Sequence, residues 1–365
     1  MAPDVPWHGT CSATNALQAG GPQKPMTERR VPVIDVSDWF GTDETAKDRL
    51  CARIDTACRD LGFLVVTGHG VDMHEVRRIH DVAYEFFSRP FDEKSQIAFG
   101  KISTYAGYGA SGLDRLDATD GDRPVGDLKE SFGMGPFGFP GTPYYTGPSG
   151  ARFFQPNAWP DAPADMRETF EGFYSTMERF TGALMSMFAR ALSLDADYFE
   201  KSIDRHITHL NIQHYPAQDV PPAPGQLRAG AHTDFGSVTV LHPGDRPEGL
   251  QVMDADGTWH DVVVPQDAFV INLGDLMARW TNDVWRSTMH RVVNPPGEEV
   301  ARTPRQSIAF FHQPNYDAVI ECLPTCQGPD RPAAYEPTTS GAHYVMRFNQ
   351  MRRLNGDAAE AEAEA

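Results

Sequence analysis

From His206 onward the chain breaks into short β-prone runs, HITHLNIQHY, SVTVLH, LQVM, WHDVVV, AFVINL, TMHRVV and SIAFFHQ, divided by turn signals such as PGDRPEG, DADG and NPPG. Gly and Pro at that density stop each run after a few residues and leave little room for helices between them. Strands of this kind bury their apolar sides by stacking as two sheets, so residues 206–315 are predicted to form an antiparallel double-sheet jelly roll. No fixed-period repeat accompanies the pattern, which argues against a solenoid or a propeller.

Ahead of that core the periodicity changes. VPVIDV at 31–36 reads as extended chain, and Leu50, Ile54, Cys58 and Leu61 then recur at helical spacings until Gly62. GFLVVTGHGV reads as a buried strand leaving through a turn, and Val76, Ile79, Ala83, Phe86 and Phe87 mark a second helix ending at Pro90. Residues 100–160, crowded with Gly, Pro and Tyr, are too long for a plain connection and are assigned to substrate contact. From 164 to 192, residues including Phe170, Phe173, Met177, Phe180, Leu184 and Phe188 form one apolar stripe, the mark of a helix that braces a core. The expectation is an α+β fold with a mainly β core, a double-stranded β-helix (jelly roll) with buttressing helices. Its parts are a flexible segment over 1–30, an α/β region with substrate loops over 31–160, the long helix and β core over 161–350, and a flexible acidic tail over 351–365.

A formal charge of −18 disfavours a nucleic-acid or anionic-membrane partner, since neutralising phosphates calls for a basic surplus. No cationic leader with an apolar core opens the chain, and no apolar run approaches the roughly 18 residues of a membrane span. A cytoplasmic protein is expected. The five cysteines are an odd number without zinc-type pairing, so reduced thiols are expected, and Cys322 with Cys326 makes only a weak metal pair. Oligomeric state has no signature here.

His232-Thr233-Asp234 is weak by itself, because a chain with 13 histidines is expected to hold a His-x-Asp by chance. Its setting says more: it follows the Gly/Pro-rich PPAPGQLRAGA and precedes SVTVL, at the margin of a sheet. In extended chain residues i and i+2 point the same way, so one imidazole and one carboxylate can reach a common ion. His290, in STMHRVVNP, is the third candidate. Two imidazoles and one carboxylate on one side of an ion leave other positions open, the arrangement of non-haem Fe(II) oxygenases. The helical zinc motif H-E-x-x-H is absent. Asp275, in a turn after AFVINL, is read as structural.

Beyond His290, Arg305 and Ser307 share a face if RQSIAFF is a strand. A guanidinium and a hydroxyl can there grip one carboxylate, anchoring a dicarboxylate by its far end while its 2-oxo acid end chelates a metal.

With these residues in place, AHTDFGSVTVL, VINLGDLMARWTNDVWRSTMHRVV and RQSIAFFHQPN, together with VPVIDV, GFLVVTGHGV and ITHLNIQHYP, resemble the isopenicillin N synthase-like branch of the Fe(II)/2-oxoglutarate-dependent oxygenases over about residues 31–350. The resemblance implies iron on His232, Asp234 and His290, and the C5 carboxylate of 2-oxoglutarate on Arg305 and Ser307 with help from Tyr215. It implies a dioxygenase of secondary metabolism, consuming O2 and 2-oxoglutarate, releasing succinate and CO2, and hydroxylating, desaturating, epoxidising or cyclising a small molecule. Two departures stand out. Gln213 occupies the place of an Asn common in plant members, and PPGEEVARTP lengthens the passage from His290 to Arg305 as a loop expected to extend a hairpin.

Two other readings fit the same sequence: a 2-oxoglutarate-independent oxidase of the isopenicillin N synthase type, and a non-catalytic small-molecule receptor. Tyr105, Tyr108, Phe132, Phe153 and Phe311 are the candidates for an aromatic substrate pocket, with ordinary core packing as the competing role.

Overall fold

The computed structural model describes residues 31–103, 106–110, 127–217, 225–294 and 303–354. The expected segment over 1–30, residues 355–365 of the expected tail over 351–365, and Tyr105 lie outside the described residues. Strands β1 (Val33–Asp35), β2 (Phe63–Thr67), β3 (Gly107–Gly109) and β4 (Glu130–Met134) precede the long helix Met166–Ala191. After it come β5 (His209–Tyr215), β6 (Ala229–His232), β7 (Val238–His242), β8 (Leu250–Met253), β9 (Trp259–Asp261), β10 (Phe269–Leu273), β11 (His290–Val292) and β12 (Arg305–His312).

Eight of these form one sheet in the order β1-β2-β10-β7-β12-β5-β4-β3, and β6-β11-β8-β9 form a smaller one. From β5 to β12 the chain passes back and forth between the two, which makes the β core a double-stranded helix of strands rather than a set of hairpins within one sheet. β11 and β12 are not the paired strands of the expected hairpin, since β11 belongs to the smaller sheet and β12 to the larger; residues 295–302 between them lie outside the described residues. The larger sheet also draws four strands from before residue 206, among them β4 from the stretch read as substrate loop.

Alternation along the strands gives the larger sheet two different faces. Leu64, Val66, Leu210, Ile212, Val238, Val240, Ile271, Ile308 and Phe310 belong to a core shared with the helices Glu44–Asp60, Met73–Phe87 and Met166–Ala191. Phe63, Val65 and Val270 instead join Ala229, Leu250, Val252 and Val292 of the smaller sheet, filling one part of the space between the sheets. Gly62 ends the first helix region with φ +69°, where a Cβ would meet the Arg286 carbonyl oxygen at 2.0 Å. A C-terminal helix, Ser340–Leu354, was not anticipated and runs into the stretch expected to be tail. Among the described residues no helix is long and apolar enough to cross a membrane.

Candidate metal and co-substrate site

His232 ends β6 and His290 begins β11, and the two are direct cross-strand partners. Their ring centroids lie 4.3 Å apart. Asp234 follows β6 in the passage to the larger sheet, and its Oδ1 is 3.6 Å from Nε2 of His232 and 3.6 Å from Nε2 of His290. One ligand atom from each residue lies within 4.8 Å of the others, and this is the one such group found among the described residues.

The rings are held with a definite proton position. His232 Nδ1 donates to the Gly230 carbonyl at 2.7 Å, and His290 Nδ1 donates to the Thr288 carbonyl at 3.1 Å. A carbonyl only accepts, so Nδ1 carries the hydrogen and each Nε2 keeps its lone pair toward Asp234. Burial, then the charge of His290, pushes His232 down to about 3. Burial alone would raise Asp234, but the two imidazoles and hydrogen bonds from Thr239 and Asn272 hold it below the ordinary carboxylate value. The Nε2 lone pairs of the two rings and the Asp234 carboxylate form a donor set suited to a divalent cation.

The carboxylate is aimed from the larger sheet. Thr239 Oγ1 on β7 and Asn272 Nδ2 on β10 each donate to Asp234 Oδ2 at 2.6 Å, leaving Oδ1 toward the imidazoles. Asp275 stays out of the cluster, accepting from Thr233 Oγ1 at 3.1 Å and pairing with Arg347 of the C-terminal helix at 2.8 Å. Cys322 and Cys326 are free thiols outside any such group.

Arg305 opens β12 opposite Tyr215, and Ser307 stands opposite Gln213. Arg305 is buried, its Nε donates to the Arg246 carbonyl at 2.7 Å, and its Nη1 has no partner. Its guanidinium carbon is 5.1 Å from the centroid of the Tyr215 ring. A buried guanidinium nitrogen without an acceptor is costly, and the carboxylate of a bound acid would satisfy it.

The comparisons with known proteins agree with this chemistry. A model described as the non-haem dioxygenase N-terminal region, named for morphine synthesis, matches residues 31–162, and the 2OG-Fe(II) oxygenase superfamily model matches 207–314. The chain belongs to the 2-oxoglutarate–Fe(II) oxygenase superfamily. It is 34% identical over 319 residues to the 2-oxoglutarate-Fe(II) type oxidoreductase hxnY of Emericella nidulans, covering 86% of this chain and 88% of that one. It is 30% identical over 327 residues to the validamycin A dioxygenase of Streptomyces hygroscopicus subsp. limoneus, covering 87% and 86%. Among solved structures, a full-length Neurospora crassa protein in complex with alpha-KG and thymine superposes with a TM-score of 0.76 at 30% identity, covering 90% of this chain and 97% of that one. As a member of this superfamily the protein is a 2-oxoglutarate-dependent dioxygenase with iron(II) as its metal.

The substrate candidates separate by strand parity. Tyr108 and Phe132 pair with each other, and Phe132 pairs with Ile212. That row lies on the helix-facing side, where Phe132 packs edge-on against Phe86 and Phe170, so both aromatics are core residues and the pocket assignment is corrected. Phe153 sits in a separate aromatic cluster with Phe154 and Tyr316, reaching Tyr344 of the C-terminal helix at 6.2 Å between centroids. Phe311 is in the alternate row that includes Arg305 and Ser307, opposite Thr239, and is half-buried. Thr239 and Asn272 were missed in the sequence, although a lone polar residue inside SVTVL or FVINL is the available signal.

Proposed function

We propose that the chain oxidises a small polar metabolite at iron(II) held by His232, Asp234 and His290, with 2-oxoglutarate anchored by Arg305, Ser307 and Tyr215. The observation that carries this reading is the triangle of two Nδ1-protonated imidazoles and one ionised carboxylate, with the orphaned Nη1 of Arg305 on the opposing sheet. His232, Asp234 and His290 would hold the iron, which with O2 and 2-oxoglutarate would supply the oxidation and yield succinate and CO2. The chain's own residues bind and orient. Thr239 and Asn272 fix Asp234, the carbonyls of Gly230 and Thr288 fix the rings, and Arg305 fixes the far end of the acid.

A polar substrate suits the inner row of β5. His209, Asn211 and Gln213 share the parity of Tyr215, and Gln213 Nε2 donates to Asn211 Oδ1 at 2.9 Å while its Oε1 is buried without a partner. That oxygen accepts, so it suits an N–H or O–H of a substrate rather than a carboxylate of 2-oxoglutarate. Phe311 supplies an apolar contact in the neighbouring row. The similarity to a validamycin A dioxygenase and to a Neurospora crassa protein bound to thymine supports small polar ring compounds as substrates.

The test is succinate release by the iron-loaded protein across a panel of small polar heterocycles and cyclitols. Metabolite-stimulated succinate that disappears in His232→Ala is the expected result. Metabolite oxidation that proceeds without 2-oxoglutarate would overturn the reading.

A further inference from the structure

Arg228 touches none of the three candidate metal ligands, yet its buried, unpartnered nitrogens call for an anion. It immediately precedes β6, its backbone N–H donates to the Val292 carbonyl at 3.1 Å, and it is 3% exposed. Its Nε and Nη2 are both buried with no hydrogen-bond partner. The guanidinium carbon lies 5.6 Å from the centroid of the Tyr215 ring, the same ring that Arg305 approaches to 5.1 Å. Burial, and after it the like charge of Arg305, works against the charged form of Arg228.

Two buried guanidiniums beside one tyrosine, each with an unpartnered nitrogen, are unfavourable on their own. The arrangement becomes favourable when an anion with several acceptor sites lies between them. A carboxylate offers two oxygens and about four lone-pair sites, enough for two guanidiniums and a hydroxyl. The two arginines come from opposite sheets, Arg305 from the larger and Arg228 from the lead-in to the smaller, so they would close on such a group from two sides.

We infer that Arg228 is a second guanidinium for the distal carboxylate of 2-oxoglutarate, sharing it with Arg305 across the ring of Tyr215. The inference rests on the co-substrate placement proposed above and adds a binding residue to it. Arg228 contributes charge and donors at the far end of the acid, so it sets the preference for a dicarboxylic over a monocarboxylic 2-oxo acid.

The experiment measures equilibrium binding of 2-oxoglutarate and of 2-oxopentanoate, the five-carbon 2-oxo acid without a distal carboxylate, to the anaerobic Fe(II)-loaded full chain. Wild type, Arg228→Gln and Arg228→Lys are compared by the visible absorbance of the chelate, and the melting temperature of each ligand-free protein is recorded. The expected result is that Arg228→Gln weakens 2-oxoglutarate about tenfold or more, as for loss of a charged hydrogen bond, leaves 2-oxopentanoate unchanged, and melts no lower than wild type. Arg228→Lys should fall between. Equal losses for both acids, no loss for either, or a glutamine variant that fails to fold would overturn the inference and make Arg228 structural. A wild type that binds both acids equally would instead overturn the placement of the distal carboxylate at Arg305 as well.

Discussion

Asn272 Nδ2 donates to Oδ2 of Asp234 at 2.6 Å, and this bond, made from the larger sheet to a residue that has just left the smaller one, selects which carboxylate oxygen faces the imidazoles. Thr239 makes the same choice at 2.6 Å. Without these donors the carboxylate can rotate and present either oxygen, or neither. Asn272→Leu and Thr239→Val are each expected to weaken Fe(II) binding by about 10–100-fold, the usual cost of losing a partner that orients a ligand. Equilibrium metal titration checks this, and unchanged affinity in both variants would show that Asp234 is held by other means.

Gly274 holds the same region at close range. A Cβ there would lie 2.3 Å from the Gly236 carbonyl oxygen and 2.9 Å from that of Asp234, both backbone atoms that cannot swing aside. Asp275 N–H donates to the Asp234 carbonyl at 2.8 Å across this contact. Gly274→Val should cost about 1–3 kcal/mol of stability through overpacking and weaken metal binding. A chemical unfolding curve coinciding with wild type would refute it.

Phe132 and Tyr108 separate core from pocket. Phe132→Ala should cost about 3–5 kcal/mol, as for a large buried aromatic, with the 2-oxoglutarate affinity of the folded fraction unchanged. A lost affinity at unchanged stability would return Phe132 to the pocket.

Acid sensitivity should begin well above the carboxylate range. His214 is buried against the Phe87 ring, centroids 4.8 Å apart, and burial with the nearby Lys94 charge pushes it down to about 4. In the unfolded chain it titrates near 6.5. Between those values the unfolded chain binds a proton that the folded chain does not, so stability is full above about 6.5 and falls as the pH drops toward 4. Unfolding measured across that window should show a shallower slope in His214→Phe, by up to about 1.4 kcal/mol per pH unit. Parallel slopes would contradict the assignment.

What the sequence revealed depended on how local each signal was. His232 and Asp234 are two residues apart between a Gly/Pro-rich loop and a strand-like run, and Arg305 and Ser307 lie on one strand, so spacing together with local setting makes them legible. Thr239 and Asn272 are recognisable as partners of Asp234 only when β7 and β10 are placed beside the end of β6, and Arg228 only when the lead-in to β6 is placed beside Tyr215, which is information about pairing between distant segments. Tyr108 and Phe132 were misread for the same reason: whether an aromatic in a short strand faces helix or barrel follows from a register set by β5, far along the chain. The hairpin expected after His290 failed because nothing local distinguishes a turn within a sheet from a crossing between sheets.

The most direct measurement is the visible spectrum of the anaerobic Fe(II)-loaded protein during titration with 2-oxoglutarate, in wild type and Arg305→Ala. Chelation of iron by the 2-oxo acid gives a metal-to-ligand charge-transfer band. Wild type should give a band that needs much higher 2-oxoglutarate to appear in the variant. Iron bound without any band in wild type, or a band equally saturable in both proteins, would contradict it.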